Sequence, residues 1–230
     1  MICPICDSHY VAAFTWKSLL LSDQDRVCLT CKERLKKIRG PICPKCGREQ
    51  SDDYVCQDCI SWSERMGPDE VLVKNRSVYV YNEYMKEILA RFKFRGDTAL
   101  AELFKKDVRT AFKRSFPMKS RHIHIIPIPL SRERLKERKF NQSEVLAALL
   151  GVCTIQPLIK VHQSKQSKKN KNERLHQNGR FQLNQLHTII SRDVILIDDI
   201  YTTGATIYDA ASILKNAGAR SVSSFTLIRS

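Results

Sequence analysis

Val194-Ile195-Leu196-Ile197-Asp198-Asp199-Ile200-Tyr201-Thr202-Thr203-Gly204-Ala205-Thr206 is the stretch on which the rest of the chain turns. Four consecutive aliphatic residues predict a strand buried on both faces, as at the centre of a parallel sheet. Two carboxylates follow at once, then a Thr-Thr-Gly-Ala-Thr loop. Ile207, Ala210, Ala211 and Leu214 then carry helical spacing to about Asn216, with Gly218 just past the end. Ser221–Ile228 supplies another apolar strand. Strand, helix and strand in that order predict a right-handed βαβ unit and an α/β domain. Such sheets bind ligands at the carboxyl ends of their strands, where the acids and the loop fall. The loop offers hydroxyls, backbone N–H groups, a glycine for close approach and the positive end of a helix, which together suit a phosphate monoester. Ribose hydroxyls, or a Mg²⁺ held partly through water, fit between that phosphate and the two aspartates.

Other phosphate loops are excluded. There is no Gly-x4-Gly-Lys-Ser/Thr, and Gly204 stands alone, so no G-x-G-x-x-G is present. The thirteen residues resemble the phosphoribosyl pyrophosphate (PRPP) signature of type I phosphoribosyltransferases. That resemblance implies ribose contacts from Asp198 and Asp199, and a 5′-phosphate loop of Thr202, Thr203, Gly204, Ala205 and Thr206.

Working back from this stretch, His124–Pro129 reads as a buried strand ended by prolines. Asn141–Leu150 reads as a helix with Val145, Leu146 and Leu149 inward, and Thr98–Lys113 as a second with a stripe of Leu100, Leu103, Phe104, Val108 and Phe112. Asn82 is a suitable cap for a helix over Glu83–Phe92, preceded by a strand at Ser77–Tyr81. Gly67-Pro68 marks a linker. The expected organisation is an N-terminal module over 1–62, a linker over 63–76 and an α/β domain over 77–230.

The N-terminal module is defined by cysteines. Eight of the nine form C-x-x-C pairs: Cys3/Cys6, Cys28/Cys31, Cys43/Cys46 and Cys56/Cys59. Two thiolates from a tight turn can face one metal ion, and two such pairs complete a tetrahedral shell. The eight cysteines therefore read as ligands of two structural Zn²⁺ ions, with Gly47 suited to the positive-φ position after its knuckle. Sequential pairing leaves loops of 21 and 9 residues between the pairs, both feasible for ribbons; an interleaved pairing stays open at this level. Full thiolate shells leave no position for a catalytic water. Redox use of C-x-x-C needs one motif rather than four. Cys153, alone in an apolar stretch, reads as a buried small residue.

Charge sets the partner class. Thirty-nine Lys and Arg against 24 Asp and Glu give a net charge of +15 over 230 residues, which favours polyanionic partners. Residues 1–66 carry 10 basic and 9 acidic side chains, and residues 132–180 carry 12 and 4, so the excess lies beside the phosphate motif. Lys93 and Arg95 are candidates for pyrophosphate contacts. Arg132, Arg134, Arg138 and Lys139 read as a flexible basic arm over the sheet edge, with Phe140 and Tyr201 as π-faces near it. Cationic grooves with aromatic platforms bind single-stranded nucleic acid. No run of 18 apolar residues occurs, and the N-terminus lacks the basic and apolar regions of a signal peptide, so the expected location is cytoplasmic.

Phe92-Lys93-Phe94-Arg95-Gly96-Asp97, Ile126-Pro127-Ile128-Pro129-Leu130, Arg138-Lys139-Phe140-Asn141-Gln142, Gln166 with Glu173-Arg174 and Asn178, and the PRPP stretch come in an order that resembles the ComF family of competence proteins, ComFC type. Lys139 departs from the pattern, where a glycine is common, and Gln163–Asn172 is unusually rich in Lys, Asn and Ser. The resemblance implies a mostly parallel, type I phosphoribosyltransferase-like sheet flanked by helices, with an N-terminal zinc-ribbon module. It implies handling of incoming single-stranded DNA with a DNA-translocating competence ATPase of the ComF operon, at most peripherally at the inner membrane face, and a retained site for a PRPP-like ligand. Two other functions stay open: an active Mg²⁺-dependent phosphoribosyltransferase, and a zinc-ribbon adaptor that only docks proteins.

Overall fold

The computed structural model describes residues 1–11, 27–67, 70–94, 99–117, 123–161, 180–184 and 189–230. Arg95, Gln166, Glu173, Arg174 and Asn178 lie outside the described residues.

The N-terminal region repeats one small pattern. In the first knuckle Cys3 N–H donates to Ser8 O at 2.9 Å and Asp7 N–H to Cys3 O at 2.8 Å. In the second, Cys43 N–H donates to Arg48 O at 2.8 Å and Gly47 N–H to Cys43 O at 2.9 Å. The residue after each knuckle is left-handed, Asp7 at φ 56° and Gly47 at φ 72°. Glycine is required at the second position, because an added Cβ would lie 2.9 Å from Asn75 O. The later cysteine pair of each set starts a helix: Cys28 caps α1 (Leu29–Arg34) and Cys56 caps α2 (Gln57–Met66). Both helix N-termini thus present partial positive charge to thiolates.

The chain continues through β1 (Asn75–Val80), α3 (Glu83–Phe94), α4 (Ala99–Ser115), β2 (Ile123–Pro127), α5 (Arg132–Arg138), α6 (Gln142–Leu150), β3 (Leu158–Lys160), β4 (Phe181–Leu183), β5 (Asp193–Tyr201), α7 (Ala205–Asn216) and β6 (Ser221–Arg229). Four strands form a parallel sheet in the order β1-β6-β5-β2. β3 and β4 form a separate antiparallel pair. β5 outlasts its apolar run: pairing continues through Asp198↔Thr226 to Ile200↔Ile228 and Tyr201↔Arg229, so both aspartates lie within the strand near its carboxyl end.

Alternation along β5 splits the core between the two faces of the sheet. Ile195 and Ile197 join α3, α4 and α6 on one face; Val194 and Leu196 join α7, the small hairpin and the second cysteine cluster on the other. The edge at β1 is covered by the chain leaving α1: Ile38 N–H donates to Val78 O at 3.0 Å and Val80 N–H to Lys36 O at 2.9 Å. An open parallel edge is thereby closed by the zinc-binding region.

Three expectations are corrected. Arg132–Arg138 is a helix rather than a flexible arm, because the Ser131 side chain caps it by accepting from Arg134 N–H at 3.3 Å. Tyr201 is buried, and Phe140 is half-buried with its ring 5.4 Å from that of Phe92, so both rings are spent on packing instead of facing solvent as platforms. Cys153 is exposed, since its segment runs along the open side of β2 through the Ile125↔Thr154 bridge.

Candidate functional site

Two helices converge on the end of β5 from opposite faces of the sheet. The apolar residues of α6, following β2, pack on one face, and those of α7, following β5, pack on the other. Their N-termini therefore meet at a crevice outside the carboxyl ends of β2 and β5. At the first, Asn141 caps α6 by accepting from Ser143 N–H at 3.0 Å, and Ser143 Oγ donates to Asp198 Oδ1 at 3.0 Å. Asp198 Oδ1 also accepts from Asp199 N–H at 2.9 Å. Burial, then the neighbouring Asp199 carboxylate, push the Asp198 carboxyl up to about 7. Asp199, buried at 7% exposure, pairs with Lys93 Nζ from the last turn of α3. Lys93 thus faces the acid pair directly.

At the second N-terminus, Gly204 adopts φ 87° and caps α7. No other residue fits: a Cβ there would overlap Tyr201 Oη and lie 2.7 Å from Tyr201 Cζ. Thr202 and Thr203 are exposed, Ala205 and Thr206 half-buried, and Ala205 N–H points at Thr203 Oγ1 at 3.4 Å. The carbonyls of the turn are held from behind. Arg229 Nη1 donates to Tyr201 O at 3.2 Å and Thr202 O at 3.0 Å, and Trp62 Nε1 donates to Thr203 O at 2.7 Å.

Cations crowd the crevice. Arg180 lies 3.2 Å from Asp209 and 3.4 Å from Thr206 Oγ1, on α7. Lys160, at the end of β3, is pulled down in pKa by burial and then by Arg134, with Asp198 acting in the opposite sense. Arg138 Nη1 donates to Gln142 Oε1 at 2.9 Å, while Gln142 Nε2 is buried without a hydrogen-bond partner among the described residues. Arg132, Arg134 and Lys139 are exposed on or beside α5. Ser143, Lys160, Arg180 and Trp62 were not legible as site residues. Ser143 carried a weak signal, as the second residue after an Asn cap; the other three are brought in by long-range packing.

The cysteines form two groups, Cys3/Cys6/Cys28/Cys31 and Cys43/Cys46/Cys56/Cys59, which decides the pairing in favour of the sequential one. Cys6–Cys28, Cys43–Cys59 and Cys46–Cys56 sulfurs are 3.7, 3.8 and 3.6 Å apart. A tetrahedron with Zn–S bonds of about 2.3 Å has edges of about 3.8 Å. Both donor sets therefore fit structural zinc.

A parallel sheet with an acid pair and a glycine-turned loop at its switch point, joined to two four-cysteine ribbons, defines a phosphoribosyltransferase-like protein with a double zinc ribbon. Family models agree: a double zinc ribbon domain matches residues 1–60 and a phosphoribosyl transferase domain matches residues 144–230. The chain is 48% identical to competence protein ComFC of Bacillus subtilis over 232 residues, covering 100% of this chain and 95% of that one. It is 34% identical to competence protein ComFC of Streptococcus pneumoniae over 231 residues, covering 100% of both. It is 27% identical to competence protein F of Haemophilus influenzae over 220 residues, covering 88% of this chain and 90% of that one. The chain belongs to the ComFC family of competence proteins. Among the described residues no helix is long and apolar enough to cross a membrane.

Proposed function

We propose that this protein binds PRPP at the turn between β5 and α7 and handles incoming single-stranded DNA along the adjoining cationic lip during natural transformation. That its relatives are competence proteins supports the setting. The observation that carries the ligand is the joint presence, at one crevice, of a carboxylate pair and a left-handed glycine turn opening a helix. Ribose hydroxyls donate to Asp198 and Asp199. The 5′-phosphate lies against Thr202, Thr203, Gly204, Ala205 and Thr206, where hydroxyls and N–H groups are its donors. Mg²⁺ accompanies the pyrophosphate, for which Arg138, Lys160 and Arg180 supply counter-charge. Arg132, Arg134 and Lys139 then form the outer cationic surface for a longer polyanion. The expected setting is the cytoplasm, beside the DNA-translocating ATPase.

Calorimetric titration with PRPP and Mg²⁺ tests the site. Binding is expected for the wild-type chain and at least a tenfold loss for Asp199→Asn; affinity unchanged by that substitution would remove the ribose assignment. A fluorescent oligonucleotide titrated at several salt concentrations tests the lip. A steep log–log loss of affinity is expected, and no binding at low salt would exclude direct contact with DNA.

One observation favours transferase turnover as a second reading. With its carboxyl pushed up to about 7, Asp198 titrates in the range where a general base works. Pyrophosphate release from PRPP in the presence of an acceptor pool would mark turnover, and a bound but inert ligand would mark a site kept for binding.

A further inference from the structure

The second ribbon and the phosphate turn share one buried cation. Arg229, the last residue of β6, is 3% exposed. Its Nη2 donates to Cys46 Sγ at 3.3 Å, one of the four sulfurs of the second cluster. Its Nη1 donates to Tyr201 O and Thr202 O, and also contacts Ser230 O, while the guanidinium lies 4.8 Å from the Tyr201 ring centroid. A second bridge runs parallel to it. Trp62, on the helix capped by Cys56, donates to Thr203 O and stacks on Tyr208 of α7, with centroids 4.2 Å apart at 11°.

Three successive carbonyls of the turn, those of residues 201, 202 and 203, are therefore fixed by side chains anchored on the ribbon. In a trans peptide the C=O of one residue and the N–H of the next point in opposite directions. Holding these carbonyls toward the ribbon aims the N–H groups of Thr202, Thr203 and Gly204 the other way. Those amides are the donors an anion at the turn would use. Four thiolates around one Zn²⁺ carry a net negative charge that favours a guanidinium beside Cys46. Loss of the metal frees Cys46 Sγ from the cluster, and with it the acceptor that fixes Arg229 Nη2.

We infer that the zinc ion of Cys43, Cys46, Cys56 and Cys59 and the anion site at residues 202–206 are energetically coupled, with Arg229 as the positioning residue and Trp62 as its auxiliary. The inference rests on the PRPP reading above and adds a regulation to it: ribbon occupancy sets ligand affinity. Coupling of this kind is reciprocal, so the ligand must raise the affinity for the metal by the same factor as the metal raises the affinity for the ligand.

The test follows zinc transfer from the intact, zinc-loaded chain to a chromogenic chelator, with and without saturating PRPP and Mg²⁺. One of the two zinc ions is expected to leave at least fivefold more slowly when PRPP is bound, and the other at an unchanged rate. Arg229→Met is expected to abolish the PRPP-dependent difference, Arg229→Lys to restore part of it, and Trp62→Phe to reduce it. General destabilisation would speed zinc loss equally with and without ligand, so the difference isolates positioning. If the buried Met variant does not fold, the Lys and Phe variants carry the comparison. Wild-type protein that binds PRPP but releases both ions at rates indifferent to it overturns the inference and leaves the PRPP reading standing. Zinc-loaded wild type that fails to bind PRPP overturns both.

Discussion

A carboxyl that titrates near neutrality inside a fold is a cost that the unliganded chain carries. Asp198 is raised from 3.8 to about 7, by burial first and by Asp199 second. An acid with a raised folded pKa contributes stability that is complete below 3.8 and is lost as pH rises toward 7. At pH 8 the charged form therefore opposes folding, on the order of 4 kcal/mol as an upper bound. Asp198→Asn keeps an oxygen for Ser143 Oγ and for Asp199 N–H. It is expected to raise the melting temperature at pH 8, by roughly 2–4 °C per kcal/mol recovered, with the gain shrinking toward pH 5. A gain independent of pH would show that the titration of Asp198 is not what strains the site. Lys139 is a second residue under strain, at φ 64° after the last turn of α5. A left-handed non-glycine costs roughly 1–2 kcal/mol, part of which glycine returns through its freer unfolded state. Lys139→Gly is expected to stabilise by about 0.5–1 kcal/mol in denaturant titrations; destabilisation would mean that the lysine side chain is needed where it stands.

At the scale of elements, what was legible is what repeats along the chain. The run from Val194 to Ile197 announced a strand buried on both faces, and it is one of the two inner strands of the sheet, paired on both sides. Its true end was not legible, because backbone pairing carries on past the apolar residues through both aspartates. α5 was missed for the converse reason. Arg132-Glu133-Arg134-Leu135-Lys136-Glu137-Arg138 has no apolar stripe, and Leu135 itself is 45% exposed, so only the Ser131 cap betrays a helix. Being a helix, it presents its cations in fixed places beside the crevice. Arg132 and Arg134 are exposed, so replacing both with Gln should leave folding and PRPP affinity unchanged. For oligonucleotide binding, each lost phosphate contact should lower the magnitude of the salt slope by roughly 0.7. An unchanged slope would place the DNA elsewhere. Lys160 and Ser143 escaped sequence inspection because hairpin pairing and helix docking, both long-range, bring them to Asp198.

In the whole molecule, ribbons and sheet behave as one packed body. Cys3, Cys28 and Cys31 belong to the same apolar cluster as α3, α4 and Ile195, and Cys43, Cys46, Cys56 and Cys59 to the same cluster as α7 and Leu196. Polar ties run the same way. Arg91 donates to Ile5 O and, at 3.0 Å, to Pro4 O; Asn75 Nδ2 donates to Cys46 O at 3.0 Å. The segment at Lys36–Ile38 completes the β1 edge of the sheet. A metal that folds the ribbons therefore also covers apolar surface and a strand edge of the α/β domain. Structural zinc contributes on the order of 10 kcal/mol per site at neutral pH. Its removal should then lower the melting of the entire chain by tens of degrees instead of melting residues 1–62 alone. Scanning calorimetry of the zinc-loaded chain is expected to show a single transition that moves down as a whole when a chelator is added. Two separate transitions, with the upper one indifferent to the chelator, would show that the sheet stands without its ribbons, and the shared clusters would then be contact without cooperativity.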